Sequence, residues 1–455
     1  MDPRDGQESA QTAARLRSRA VSLPATPVRD ALRMDRPIHA AWTAPGEPTV
    51  VASGVADVVT AEGRDRFDAV ADDAARLFDA LDDRDVPHEA RPRLLGGFAF
   101  HDRHDRTPPW EAFPGAWFVL PAVQVTLGED GGWITVTGTA SESTDEDLET
   151  SAEAVRHAIV DSGPVVGPPG VTDTERTTSY DQWRTQVEGA LSRIESGAIR
   201  KVTLAQTLRA DLASPFPLAG TMERLGEVYP ECFRFAFRPS AGEVAPTPVG
   251  DEPTAVPTFF GASPERLVSK HGDELTTGAL ASTVQRGATS DEDRLYADQL
   301  RNDEKFDREH RIVVDSIREQ LGPVATDVRT GERSIRKLDA VQHLFTPISA
   351  TATEDHVLSV VEALHPTPAV GGLPPAVALE TIRQTETFDR GWYAAPIGWF
   401  DADGNGTFAV GIRSAVAEDV TATLFAGNGI VADSDPNAEW EEVQLKYRPV
   451  LDRLR

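Results

Sequence analysis

One cysteine, five lysines and no long apolar run mark this 455-residue chain, and each shortage excludes something. With Cys232 alone, no internal disulfide can close and no cysteine-based metal cluster can assemble. No uninterrupted apolar stretch approaches membrane-spanning length, and the first twenty residues carry no apolar signal-peptide core. A cytoplasmic protein without a membrane partner is the expectation. Positive charge is scarce too: 45 Lys and Arg face 73 Asp and Glu, a net charge of −28. Phosphate recognition needs basic patches, so no nucleic-acid partner is expected. Hydrophobic residues still make up 40% of the chain, enough for a packed core and too many for a disordered polymer. An acid-rich, lysine-poor chain reads as one kept soluble in high salt, as in a halophile, where counterions screen self-repulsion.

The shortage of lysine, five against forty arginines, makes each one a question. Two lie in segments dense with potential chemistry. Lys201 sits in Arg200-Lys201-Val202-Thr203-Leu204-Ala205-Gln206, and Lys446 follows Glu442 by one helical turn in Glu439-Trp440-Glu441-Glu442-Val443-Gln444-Leu445-Lys446. Arginine stays charged, whereas a buried lysine can lose its proton and act as a base. Lys201 is therefore the first candidate for a catalytic group.

The chain is long enough for one large α/β domain or two smaller ones. Residues 1–27 read as a flexible arm. Residues 28–160 read as β-rich, with runs such as Trp117-Phe118-Val119-Leu120 and one acidic helix around 64–82. Residues 161–178, with Gly163-Pro164 and Gly167-Pro168-Pro169-Gly170, read as a linker, and 179–455 as the catalytic region. There Ser179 and Gln182 form a capping box ahead of a helix that Gly197 closes, and Lys201 follows on a short strand. A Pro/Gly-rich surface insertion is expected at 239–257.

A long helix is expected over roughly 302–321, with Glu309 beside its apolar stripe. A carboxylate there must be paired, bound to metal, or at the stripe's edge. A hairpin is expected from Trp392–Phe400 and Thr407–Val416, with Arg413 beyond the small Ala409 and Gly411 on one face, an open floor that suits an anion. Ala426-Gly427-Asn428-Gly429 reads as a glycine turn whose amides can approach an anion, and Asp435-Pro436 starts the last helix. Alone, a Glu442–Lys446 pair is no more than an exposed ion pair, about 0.3–0.5 kcal/mol.

It is not alone. Gly261-Ala262-Ser263-Pro264-Glu265-Arg266, Arg308-Glu309-His310, His365-Pro366-Thr367-Pro368-Ala369, Gly411-Ile412-Arg413-Ser414 and the Ala426-to-Lys446 segment occur in one order. Together they resemble the chorismate-utilising enzymes: the isochorismate, salicylate, anthranilate and aminodeoxychorismate synthases. The resemblance covers residues 179–455. It implies an α+β fold of large stacked antiparallel sheets with helices outside, and a Mg²⁺ site. In it Glu309 and Glu442 correspond to metal-ligating carboxylates. Arg413, Lys446 and the backbone near Gly427 correspond to groups holding the carboxylates of chorismate, with His343 near the substrate. Glu265 corresponds to the general acid and Lys201 to the water-activating lysine of the water-using branch, where the ammonia-using members resemble one another in having glutamine. The reading is therefore isochorismate synthase chemistry, with salicylate synthase the nearest alternative, a non-catalytic chorismate-binding protein a more distant one, and no glutamine amidotransferase subunit. Quinone biosynthesis is the favoured pathway on the resemblance alone. Ser282, in Ala279-Leu280-Ala281-Ser282-Thr283, departs from the family, which usually has glycine there.

Overall fold

Alternating apolar residues make strands that must bury one face, and here they do so in one connected network. A computed structural model of the protein describes residues 15–159, 166–239, 256–337 and 341–455. Among these residues, 21 strands join a single hydrogen-bonded sheet system with helices packed on it. The pairing is antiparallel throughout except where Leu16 and Arg17 run alongside Leu81 and Asp82. This is the α+β architecture expected. No helix among the described residues is long and apolar enough to cross a membrane.

Two segments whose sequence reads as irregular are β-strands. Leu16–Leu23, inside the span assigned to an arm, pairs along its whole length with Gly132–Thr139. Val171–Arg176, inside the span assigned to a linker, pairs with the end of the Lys201 strand. Both carry many polar residues, so their partners, not their own hydrophobicity, make them strands. The expected insertion at 239–257 falls almost wholly outside the described residues.

The helix signals are realised because they are local. Ser179 and Gln182 do form the capping box of Tyr180–Glu195. Asp435 accepts hydrogen bonds from Asn437 and Ala438, with Pro436 in the first turn, to start Pro436–Leu454. The long helix is Glu304–Leu321, capped by Asp303, with His310, Val313, Ile317 and Leu321 buried along one side.

The N-terminal and C-terminal parts interleave. Phe233–Phe237 pairs with Ile38–Thr43, and Pro396–Phe400 pairs with Leu94–Phe98. Aromatic rings seal the junction: Trp392 meets Trp117 at 6.5 Å, Phe113 at 5.4 Å and Phe237 at 6.0 Å between centroids. The strands of the C-terminal part are thus paired to and packed against the first third of the chain.

Candidate active site

Lys201 opens the strand Lys201–Leu212, longer than the short strand expected, and is only 3% exposed. On one side this strand pairs with Thr421–Ile430. On the other, Gly372 and Leu373 pair with Val202 and Lys201. Beyond them a fully buried ion pair replaces a neighbouring strand. Arg390 donates to the carbonyls of Thr203 (2.7 Å) and Val370 (2.8 Å), while Glu386 accepts from the Ala205 amide at 2.8 Å. Side chains thereby satisfy backbone groups that a sheet edge would leave open. Gly429 leaves room for the lysine, since a Cβ there would lie 2.6 Å from Lys201 Cε. The ammonium ends 3.5 Å from Glu309 Oε1.

Gly427 and Gly429 lie within a strand, not in a turn as expected; pairing to the Lys201 strand imposes extension on a Gly-Asn-Gly sequence. Their backbone still faces outward. Thr203 and Ala205 send their amides away from this ladder, to Gly371 and Glu386, so the residues opposite them, Gly429 and Gly427, also turn theirs outward. The Gly427 carbonyl accepts from Lys446 Nζ at 2.9 Å. Lys446 also donates to Asn428 Oδ1 and pairs with Glu442 Oε1 at 2.8 Å. Three acceptors saturate an ammonium, so Lys446 must exchange one of them to grip an anion. Asn428 is itself held by the Glu439 carboxylate at 2.9 Å. Burial and the neighbouring Glu442 charge raise the Glu439 pKa. Helical spacing puts Glu439 on the face of Glu442 and Lys446, while nothing in the sequence singles out Asn428; only the contact between strand and helix reveals their part.

Arg413 is the more available cation. Its guanidinium makes no hydrogen bond or ion pair among the described residues, although the residue is 8% exposed. It does not lie on a strand face as expected. The strand Gly406–Val410 stops before it, and Ser414–Glu418 begins after it in a different pairing, with Arg413 at φ +52° between the two. The side chain lines a small niche whose other walls include Tyr229, Cys232, Leu445 and Pro449. The larger open groove bordered by Asp293, Arg294, Arg301 and Lys337 is lined by none of the candidate residues.

Glu265, 6% exposed, follows Pro264 in the break between strands Thr258–Ser263 and Arg266–His271. Burial pushes its pKa up to about 7; the Thr367 hydroxyl at 3.3 Å and the charges of Lys201 and Arg413 pull the other way without winning. A carboxyl poised there can hold a proton at neutral pH and give it up. Thr367 belongs to the His365–Ala369 motif, but its role emerges only from this contact. His343 pairs through Nδ1 with Thr283 Oγ1 at 2.9 Å, while its Nε2 is buried without a partner among the described residues. Burial first, then Arg413 and Lys446, hold its pKa well below the ordinary value, so the ring is neutral.

Glu309 shares its two oxygens between Lys201 and Ser282, whose Oγ is 3.0 Å from Oε2. Ser282 is the extra residue of a bulge in Glu274–Gln285 and sits at φ +60°. That conformation explains why glycine suits the position; a side chain there costs roughly 1–2 kcal/mol. Among the described residues no three His, Cys, Asp or Glu side chains converge into a metal cage. Glu309 and Glu442 are nonetheless all-oxygen donors, with side chains 20% and 36% exposed. That donor set fits a hard cation that takes few carboxylates and fills its shell with water or substrate oxygen. Lys201, Glu265, Arg413, His343, Lys446, Gly427, Glu309 and Glu442 are thus linked by contact or by electrostatic influence.

Comparison with known proteins agrees with this architecture. Residues 26–455 match the family described as chorismate binding enzyme, and the chain belongs to that family. It is similar to isochorismate synthase MenF of Bacillus subtilis, 34% identical over 83% of this chain and 78% of the relative. It is also similar to the salicylate biosynthesis isochorismate synthase of Pseudomonas aeruginosa, 35% identical over 91% of this chain and 84% of that one. Among solved structures, the menaquinone-specific isochorismate synthase of Escherichia coli superposes with a TM-score of 0.79 at 25% identity, covering 97% of this chain and 95% of the other.

Proposed function

We propose that this chain is an isochorismate synthase, which exchanges the 4-hydroxyl of chorismate for a 2-hydroxyl reversibly. The observation that carries the reading is the pairing of a buried lysine with a buried, proton-holding glutamate in one site: Lys201 beside Glu309, and Glu265 within reach of the Lys201 and Arg413 charges. Lys201 takes a proton from water as the oxygen bonds to C2. The two ring double bonds each move along by one bond, the C4–O bond breaks, and Glu265 gives its proton to the departing oxygen, which leaves as water. Arg413 and the outward backbone at Gly427 hold substrate carboxylates, with Lys446 joining by releasing one of its three acceptors. Neutral His343 has Nε2 buried without a partner among the described residues, a hydrogen-bonding group left for the substrate. Glu309 and Glu442 would hold Mg²⁺, which when bound supplies positive charge toward a substrate carboxylate.

The reaction needs no ammonia and hence no amidotransferase subunit. Cys232 is 1% exposed and burial raises its thiol pKa to about 11, so it has no character as a glutamine-hydrolysing nucleophile. The named relatives support quinone or salicylate supply as the destination of the product, and we favour quinone. The acidic composition supports a cytoplasm rich in salt as the setting.

The purified chain, given chorismate and Mg²⁺ in ¹⁸O-labelled water, should accumulate isochorismate with label at C2. Salicylate plus pyruvate would make it a salicylate synthase. Anthranilate formed from ammonium salts without labelled isochorismate would move it to the amine-using branch, and no turnover would leave a binding protein.

A further inference from the structure

Ser282 occupies a conformation in which glycine is at ease and serine is not, yet its side chain is fully engaged. Its Oγ lies 2.9 Å from the Phe306 carbonyl and 3.0 Å from Glu309 Oε2. A hydroxyl has one proton to give, and an ionised carboxylate is the stronger acceptor. The Phe306 carbonyl, moreover, lies inside the helix Glu304–Leu321, where the amide four residues on already serves it. The bond that only Ser282 supplies is the one to Glu309. With Oε2 so fixed, Oε1 is the oxygen turned to Lys201, at 3.5 Å.

We propose that Ser282 is a positioning residue: its hydroxyl holds the Glu309 carboxylate in the orientation that serves both Lys201 and a bound divalent cation. This rests on the reading of Glu309 as a cation ligand, and the two are separable. A hydrogen bond to a ligating carboxylate typically changes metal affinity about 10–100-fold when lost. Relief of the positive φ acts on the fold instead, and in the opposite direction.

The test compares wild type, Ser282→Gly, Ser282→Ala and Glu309→Gln. Mn²⁺ alone is titrated into each and the free ion counted by electron paramagnetic resonance; metal-free melting is followed in parallel. The expected result is an Mn²⁺ dissociation constant weakened about tenfold or more in both serine variants, while Ser282→Gly melts at or above the wild-type temperature. Wild-type affinity in Ser282→Gly, beside lost affinity in Glu309→Gln, overturns the role of Ser282 and leaves Glu309 standing. Unchanged affinity in Glu309→Gln removes the ligand reading and this proposal with it. If Ser282→Gly melts well below wild type, the hydroxyl acts through packing and the proposal also fails.

Discussion

Glu265 is where two demands meet: it must be buried to keep a proton, and burial makes its charged form costly. Its folded pKa, about 7, stands above the ordinary value of 4.5. A group shifted upward contributes stability in full below its unfolded pKa and loses it as pH rises through the folded one. Between about pH 5 and 8 the wild type should therefore lose about 3 kcal/mol relative to Glu265→Gln, which carries no charge to bury. Turnover should fall over the same range as the acid loses its proton, while Glu265→Gln stays inactive at every pH. Melting curves of the two proteins that run parallel across that range would remove the basis for the assignment. Lys201 could be found in the sequence because lysine is rare; Glu265, Arg413 and Glu309 because their motifs stand in a recognisable order. The parts played by Thr367, Asn428, Glu439 and Ser282 could not. Each acts through a partner distant in sequence: Thr367 through Glu265, Asn428 and Glu439 through Lys446, and Ser282 through Glu309.

The strand Lys201–Leu212 is held firmly because both edges are occupied, one by a strand and the other by Gly372, Leu373 and the Glu386–Arg390 pair. Its lysine lies over Gly429, and the atoms a methyl there would strike are Cε and Nζ, the movable end of the side chain. Gly429→Ala should thus spare the fold and displace the base. The expected outcome is a fall in kcat approaching that of Lys201→Ala, about 10²–10⁴-fold. Chorismate binding and melting temperature should stay near wild type. Full activity in Gly429→Ala would show that the lysine works from elsewhere. Helices were legible at this scale because caps and apolar stripes are written within about twenty residues. The strand carrying Gly427 and Gly429 was not, since glycine and asparagine spell a turn unless ladders force them straight. Arg413 was misplaced for the complementary reason: strand alternation ran on in sequence past the point where the chain kinks at φ +52°.

Across the whole molecule, a charge of −28 must be held together. The Debye length shrinks from about 10 Å at 0.1 M salt to about 3 Å at 1 M, so repulsion between surface carboxylates fades over that range. Melting temperature should rise from low salt to molar KCl, and activity should hold or rise with it. A melting temperature that falls steadily would contradict adaptation to salt without touching the chemistry. The architecture was legible through the catalytic region, whose motifs carry the resemblance. In the first third the β-rich character and the helix near 64–82 were legible, and they correspond to strands Ala116–Leu127 and Gly132–Thr139 and helix Arg66–Asp79; the pairing was not, because several of its strands meet partners far along the chain. That distance has a consequence for synthesis. Gly97 pairs with Ile397, so the strand Leu94–Phe98 leaves the ribosome about 300 residues before the strand that covers its edge. At about 5–20 residues per second, the wait is roughly 15–60 s. During that interval an apolar, unpaired edge is open to any other chain, and the nascent protein depends on its own acidic surface, or on a chaperone, to keep strangers off.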